Sequence, residues 1–459
     1  MRLPHKGKAV LPKEKSYQAM TQGPVAGQLF GFAMPLFFSM LFQQFYNLAD
    51  TVVAGRFISA SALSAIGIIS SVNWIYLALT NGTGQGCNVV IARIFGSGDR
   101  EHTHTAITTA LIFQSSLALV LTAIFLPAHG AILRLINTPD SLYRDASTYL
   151  IIYTCALLFQ FLYTTANSCF QALGDSRMCL LFLIFSSLTN IGLDIVFVVV
   201  FSLGVAGIAW ATFLTQGMAA LLSCGMLLRR LRRLVPSSQK PPLFDGHILR
   251  SMLGVMLPYV CQQSFVSVGI MMVQGLVNTM GEIAIMSFTV GNKISGFCIA
   301  CMGTFARSFG TFSSQNYGAG AYSRIREGLR VTVKFQLIAC TVVAAAYYFL
   351  SPYVIGLFLA DDAPREALTL GFHMLMILAA GNYALEMKNS FDNALIGCGQ
   401  MSKFMITTFT DLFVRVGLSY ALAAWLGFYA LPAATIAGWL VGGILAFVFY
   451  QRFKRAYLI

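Results

Sequence analysis

The chain has 459 residues, of which 57% are hydrophobic and only 10% charged. A soluble protein of this size carries about a quarter charged residues, so a soluble globular fold is excluded, and the formal charge of +13 is not read as a sign of a nucleic-acid partner. Apolar runs near the ~20 residues that cross a bilayer, rather than alternating segments of about ten, predict an all-α polytopic membrane protein.

Residues 1–27 are polar and basic and are expected to form a cytoplasmic N-terminal segment. The first apolar run is too long for a signal-peptide core, so no cleaved leader is expected. Twelve spans follow, near 28–53, 62–91, 104–127, 147–172, 178–202, 205–228, 251–276, 283–313, 328–350, 367–395, 402–425 and 430–451. Residues 229–250 hold Arg229, Arg230, Arg232, Arg233, Lys240 and Arg250 with three prolines, and read as a cytoplasmic linker. It separates an N-lobe, 28–228, from a C-lobe, 251–451, with 452–459 as a cytoplasmic C-terminus. With both ends inside, 21 of the 30 basic residues lie in cytoplasmic segments and four in outer loops. That bias fixes the orientation and requires an even number of spans.

The two halves share landmarks at nearly one offset. Pro35 matches Pro258, Phe95-Gly96-Ser97-Gly98 matches Tyr317-Gly318-Ala319-Gly320, and Leu173-Gly174 matches Cys398-Gly399. Six spans per half give each half the same orientation, so the repeat is parallel, with a pseudo-twofold axis along the membrane normal. The cleft between two such lobes is a natural substrate path. Pro35 and Pro258 each remove a helical hydrogen bond and can bend their spans; simple tolerance of proline in membrane helices is the plainer explanation. The ten cysteines lie almost entirely in apolar runs and read as inert buried thiols.

Five acids fall inside spans: Asp50, Asp194, Glu386, Asp392 and Asp411. A carboxylate at bilayer depth is costly unless protonated, paired or hydrated, which makes each a functional candidate. Asn190 and Asp194 are four apart and share a helix face. The topology sets Asp50, Tyr149, Asn190, Asp194 and Thr212 at similar depth in the N-lobe. Two carboxylates brought together there would repel, so one would hold an exchangeable proton, while amide and hydroxyl oxygens could instead complete a sodium site. Separate hydrogen bonding of each acid is the competing explanation.

At these residues the chain resembles the multidrug and toxin extrusion (MATE) family of secondary exporters. The resemblance rests on Tyr46-Asn47-Leu48-Ala49-Asp50-Thr51 with Gly55, on Asn190-x-x-x-Asp194, on Gly204-Val205-Ala206-Gly207 with Ala211-Thr212, and on Gln315-Asn316-Tyr317-Gly318-Ala319-Gly320. It implies twelve helices in two lobes and alternating access driven by a proton or sodium gradient. It also implies a small-molecule substrate, typically an amphipathic organic cation. In the branch with an acidic N-lobe site, the matching positions are Asp50, Asn190, Asp194 and Thr212, with Gln43 and Tyr149 as neighbours; sodium would sit at Asp50, Asn190 and Asp194. No cofactor is expected beyond the coupling ion, nor any partner besides substrate and the bilayer. A monomer in the inner membrane is expected.

Another branch of the family binds sodium through acids in spans 7 and 10, but span 7 here has none. In span 10, Lys388 can neutralise Glu386 or Asp392, and Asp411 with Arg415 has the spacing of an intrahelical pair. With Lys293 and Asn167, these are candidates for lining the substrate cavity. A lipid-linked sugar flippase of the same superfamily is the alternative; it would want more basic residues lining the cleft to hold pyrophosphate, and Lys293, Arg307, Lys388 and Arg415 leave it open. An enzyme is not expected: metalloprotease, nucleophile-elbow and Walker A sequences are all missing.

Overall fold

The computed structural model describes residues 20–57, 60–235, 241–358 and 364–457, without the side chains of 47–57, 60–63, 352, 357 and 358. Thirteen α-helices run through the described residues: α1 (Val25–Phe57), α2 (Ala60–Gly96), α3 (Arg100–Leu135), α4 (Asp140–Cys155), α5 (Leu157–Ala172), α6 (Ser176–Ile195), α7 (Gly204–Leu234), α8 (Gly246–Asn278), α9 (Glu282–Gly318), α10 (Tyr322–Phe358), α11 (Arg365–Gly397), α12 (Met401–Leu426) and α13 (Ala430–Tyr457). They make twelve rods, because α4 and α5 are two halves of one rod bent by 45°. Each span drawn from the sequence falls on one rod, the fifth overrunning its end at Val200 by two residues.

Among the described residues, length and hydropathy alone identify nine helices able to cross a membrane, or ten with the bent pair. The remaining two rods have simple explanations. Met401–Tyr457 counts as one apolar stretch, but the 3-10 turn Gly427–Tyr429, entered at Gly427 with φ +52°, folds it into two packed helices. The other is α2, whose apolar stretch begins at residues 60–63, where side chains are not described. The chain is thus all-α, with twelve membrane helices in two six-rod lobes.

The repeat is visible in the backbone. Gly98 (φ +82°) and Gly320 (φ +69°) end the second rod of each lobe in the left-handed conformation that favours glycine. Gly174 and Gly399 do the same at the ends of α5 and α11. Both ends of the described chain lie on one face: Met20 hydrogen-bonds to Gln315 at the end of α9, and the Phe453 ring lies 6.3 Å from Tyr317. On this face the rods begin with acidic caps. Asp99, Asp175 and Asp245 accept backbone N–H bonds at the starts of α3, α6 and α8, which satisfies amides a helix cannot pair internally.

Candidate functional site

In the N-lobe, α1 packs along α6. The Tyr46 hydroxyl donates to Asn190 Oδ1 at 2.6 Å, joining two helices 144 residues apart in sequence. Asn190 and Asp194 are 3% and 1% exposed and lie one turn apart on α6. Directly after Asp194 the helix widens into a π-helical turn, Val196–Val200, closed by Phe201 N–H to Val196 O at 3.0 Å. A run of β-branched residues crowds ordinary α-turns, and such bulges recur at functional sites. Tyr149, on α4, is buried and stacks on Tyr153 at 5.8 Å. Thr212 on α7 and Gln43 on α1 are half-buried. Asp50 lies one turn beyond Tyr46 in α1, but its side chain is outside the described residues. The structure therefore brings α1 to Asn190 and Asp194 through Tyr46. That tyrosine is in the quoted motif, yet nothing in its spacing announced a partner on α6.

The C-lobe holds a separate buried polar cluster. Lys388 donates to Asp392 at 2.9 Å and lies 3.8 Å from Asp411, which is itself 3.8 Å from Arg415. Thr407 donates to the other Asp392 oxygen at 2.7 Å. Of the two partners open to Lys388, the ammonium takes Asp392. Glu386 instead accepts from Gln336 at 2.7 Å and Asn389 at 3.2 Å. Gln336, on α10, carried no sequence signal. The cluster is closed by α13, where a Cβ at Gly438 would lie 2.6 Å from Asp411 Oδ1. Asn167 is half-buried in α5, its carbonyl facing the Cys179 thiol at 3.6 Å. Lys293 is exposed on α9. Among the described residues, no group of three His, Cys, Asp or Glu could hold a metal ion.

The lobes meet through α2 against α8 and α9, and α1 against α9. The close contacts cluster toward the face that carries both chain ends. Gly82 and Gly86 press on Val260 and Met256 of α8. Asn88 accepts from Thr311 at 2.9 Å. Lower still, a Cβ at Gly96 would lie 1.9 Å from Gln315 O, and one at Gly318 would lie 1.9 Å from Arg93 O. The last two contacts are related by the repeat: Arg93 matches Gln315, and Gly96 matches Gly318. The pseudo-twofold axis therefore passes through this crossing. Gln315 also donates to Ala172 O at 2.7 Å, and Arg93 covers the Tyr317 ring at 5.5 Å. The seal has no room for solvent between the two backbones. Arg307 sits one turn from Thr311 on the same face of α9 and is exposed, so it faces the space between the lobes just beyond the seal. It bonds to Thr304 Oγ1 at 2.9 Å and Ala300 O at 3.4 Å; among the described residues it has no carboxylate within ion-pair distance.

Comparison with known proteins fits this architecture. A solved structure described as the outward-facing conformation of a multidrug resistance MATE family transporter superposes with a TM-score of 0.89 at 23% identity, covering 97% of this chain and 99% of that one. A Bacillus subtilis protein named probable multidrug resistance protein YpnP is 25% identical over 95% of this chain and 97% of its own length. A Shewanella oneidensis FAD transporter is 22% identical over 80% of this chain and 81% of its own. The MatE family model matches residues 35–196 and 258–421, one segment in each lobe. The chain belongs to the MatE family of multi-pass membrane transporters.

Proposed function

We propose that the protein is a cation-coupled antiporter that exports amphipathic, often cationic, small molecules by alternating access. The observation that carries the reading is the Tyr46–Asn190 bond, with Asp194 buried one turn away. It links α1 to the acid-bearing face of α6. Proton or sodium uptake at Asp50, Asn190 and Asp194, with Thr212, Tyr149 and Gln43 around them, would change how α1 lies on α6. Since α1 also packs on α9, that change reaches the seal, and Pro35 inside α1 supplies a point of bending. Both chain ends are placed on the cytoplasmic side by the basic-residue bias, so the sealed state is the outward-open one. We place the lobes at 28–228 and 251–451 around the 229–250 linker, and the protein in the bacterial inner membrane as a monomer.

A second reading rests on Arg307. A cation facing the interlobe space with no carboxylate within ion-pair distance among the described residues suits a substrate carrying phosphate, and Lys293 lies further along the same helix. One relative is named as an FAD transporter, and a lipid-linked sugar would offer the same chemistry. Purified protein in liposomes separates the readings. Ethidium efflux driven by an imposed proton or sodium gradient, and lost in Asp194→Asn, supports the first. Gradient-driven flux of FAD but not ethidium, lost in Arg307→Gln, supports the second.

A further inference from the structure

We infer that the N-lobe carries a binding site for the phosphodiester headgroup of an anionic phospholipid, in the leaflet that borders both chain ends. A cavity of about 860 Å³ opens on that face between α1, the start of α6 and the end of α7. This is within the ~300–1,000 Å³ of ordinary ligand sites. Its polar rim is made by Arg177, Arg229, Arg230 and Arg233. Arg230 is already committed: it pairs with Asp175 and covers the Phe170 ring at 5.6 Å. Arg177, Arg229 and Arg233 are exposed and, among the described residues, have no carboxylate within ion-pair distance. Four guanidinium groups against one carboxylate leave the cavity strongly positive.

Basic residues at helix ends on this face are expected from topology alone. That expectation does not explain their convergence. Arg229 and Arg233 are one turn apart on α7, a like-charge spacing that is mildly destabilising by itself, and Arg177 reaches the same cavity from α6. Arg232, equally exposed, does not line it. Phe32, Phe170, Leu173 and Met178 give the cavity a largely apolar wall, with Gln28 and Ser176 as its polar members. Leu181 and Met226, 57% and 41% exposed, stand on the side where acyl chains would lie, and Gly27 and Gly31 open the α1 wall beside Gln28 and Phe32. A basic rim over an apolar slot between membrane helices matches a lipid with an anionic head better than a free anion. Met20 lines the same cavity and is held across the lobes by Gln315 and Asn316. An occupied site therefore braces the segment that leads into the seal.

Native mass spectrometry of the detergent-purified protein, titrated with phosphatidylglycerol, tests the site. Phosphatidylcholine and inorganic phosphate serve as comparison ligands. Each arginine near an anionic headgroup is worth roughly a fivefold change in affinity. Arg229→Gln with Arg233→Gln should therefore weaken phosphatidylglycerol binding about 25-fold. Arg177→Gln, on a different helix, should weaken it about fivefold and serves if the double variant does not fold. Arg232→Gln should leave binding unchanged. The inference is overturned if Arg232→Gln weakens binding as much as Arg229→Gln, which would mean a diffuse surface field. It is equally overturned if phosphatidylcholine binds as well, or if millimolar phosphate displaces the lipid.

Discussion

The seal gives the sharpest mechanical prediction. In the sealed state a Cβ at Gly96 would lie 1.9 Å from Gln315 O and 2.6 Å from its Cα and carbonyl carbon. All three are backbone atoms, so no side-chain rotation relieves the overlap. Gly96→Ala can be accommodated only if α2 and α9 separate by more than an ångström, which breaks the matching contact of Gly318 with Arg93 O. Overpacking of this kind costs about 1–3 kcal/mol. The cost falls on the sealed state alone, because lobes parted at this face have no such contact. The equilibrium should move away from the sealed state by a factor of about 5 to 150. Spin-label distances would read this, with labels at Arg232→Cys and Ser323→Cys, one in each lobe on the sealed face, in a background lacking the ten native cysteines. Gly96→Ala should add a longer-distance population. Gly254→Ala, where nothing lies within 4 Å of the added Cβ, should leave the distribution alone. Identical distributions in Gly96→Ala and the parent protein would refute the claim that this crossing closes the lobes.

Other consequences are more local. Tyr46→Phe removes the hydroxyl that ties α1 to Asn190; at about 1 kcal/mol for one hydrogen bond, the cation concentration that half-drives transport should shift about fivefold, measured as flux against pH and sodium. Asp392→Ala leaves the buried Lys388 without its nearest counter-charge and should destabilise the fold by about 3–5 kcal/mol; Lys388→Met combined with Asp392→Leu should recover much of the lost thermal stability. The Ile248 and His247 backbone amides hold the Asp245 carboxyl below its ordinary titration range. The stabilisation from that cap is present above the unfolded-state pKa and is lost as pH falls through the lower folded value. Asp245→Ala should cost about 1 kcal/mol at neutral pH and remove this part of the acid sensitivity, as read by melting curves at several pH values.

The rods were legible because apolar length is a local property, and the repeat because Gly96, Gly98, Gly318 and Gly320 are fixed by backbone geometry that no other residue satisfies easily. The bend between α4 and α5 was not. It falls at Ala156 (φ −74°, ψ −11°), with no proline or glycine to mark it. The Asp411–Arg415 pair could be read from helical spacing, and the structure has it at 3.8 Å. The contact of Lys388 with Asp411 could not, since it joins two helices. The same holds for Tyr46 with Asn190 and Gln336 with Glu386: each partner is ordinary in its own stretch of sequence and acquires meaning only when helices pack. Gln315 and Asn316 stood in the family motif, but their grip on Met20, Ala172 and the α2 backbone is a property of two lobes in register.

The central claim is that the Asp50–Asn190–Asp194 region couples ion movement to transport. The direct measurement is ethidium efflux from proteoliposomes under a proton gradient, then a sodium gradient, for the parent protein, Asp50→Asn and Asp194→Asn. The account predicts that one gradient drives efflux in the parent and that both variants lose the gradient dependence while still folding. Undiminished gradient-driven efflux in both variants would contradict it.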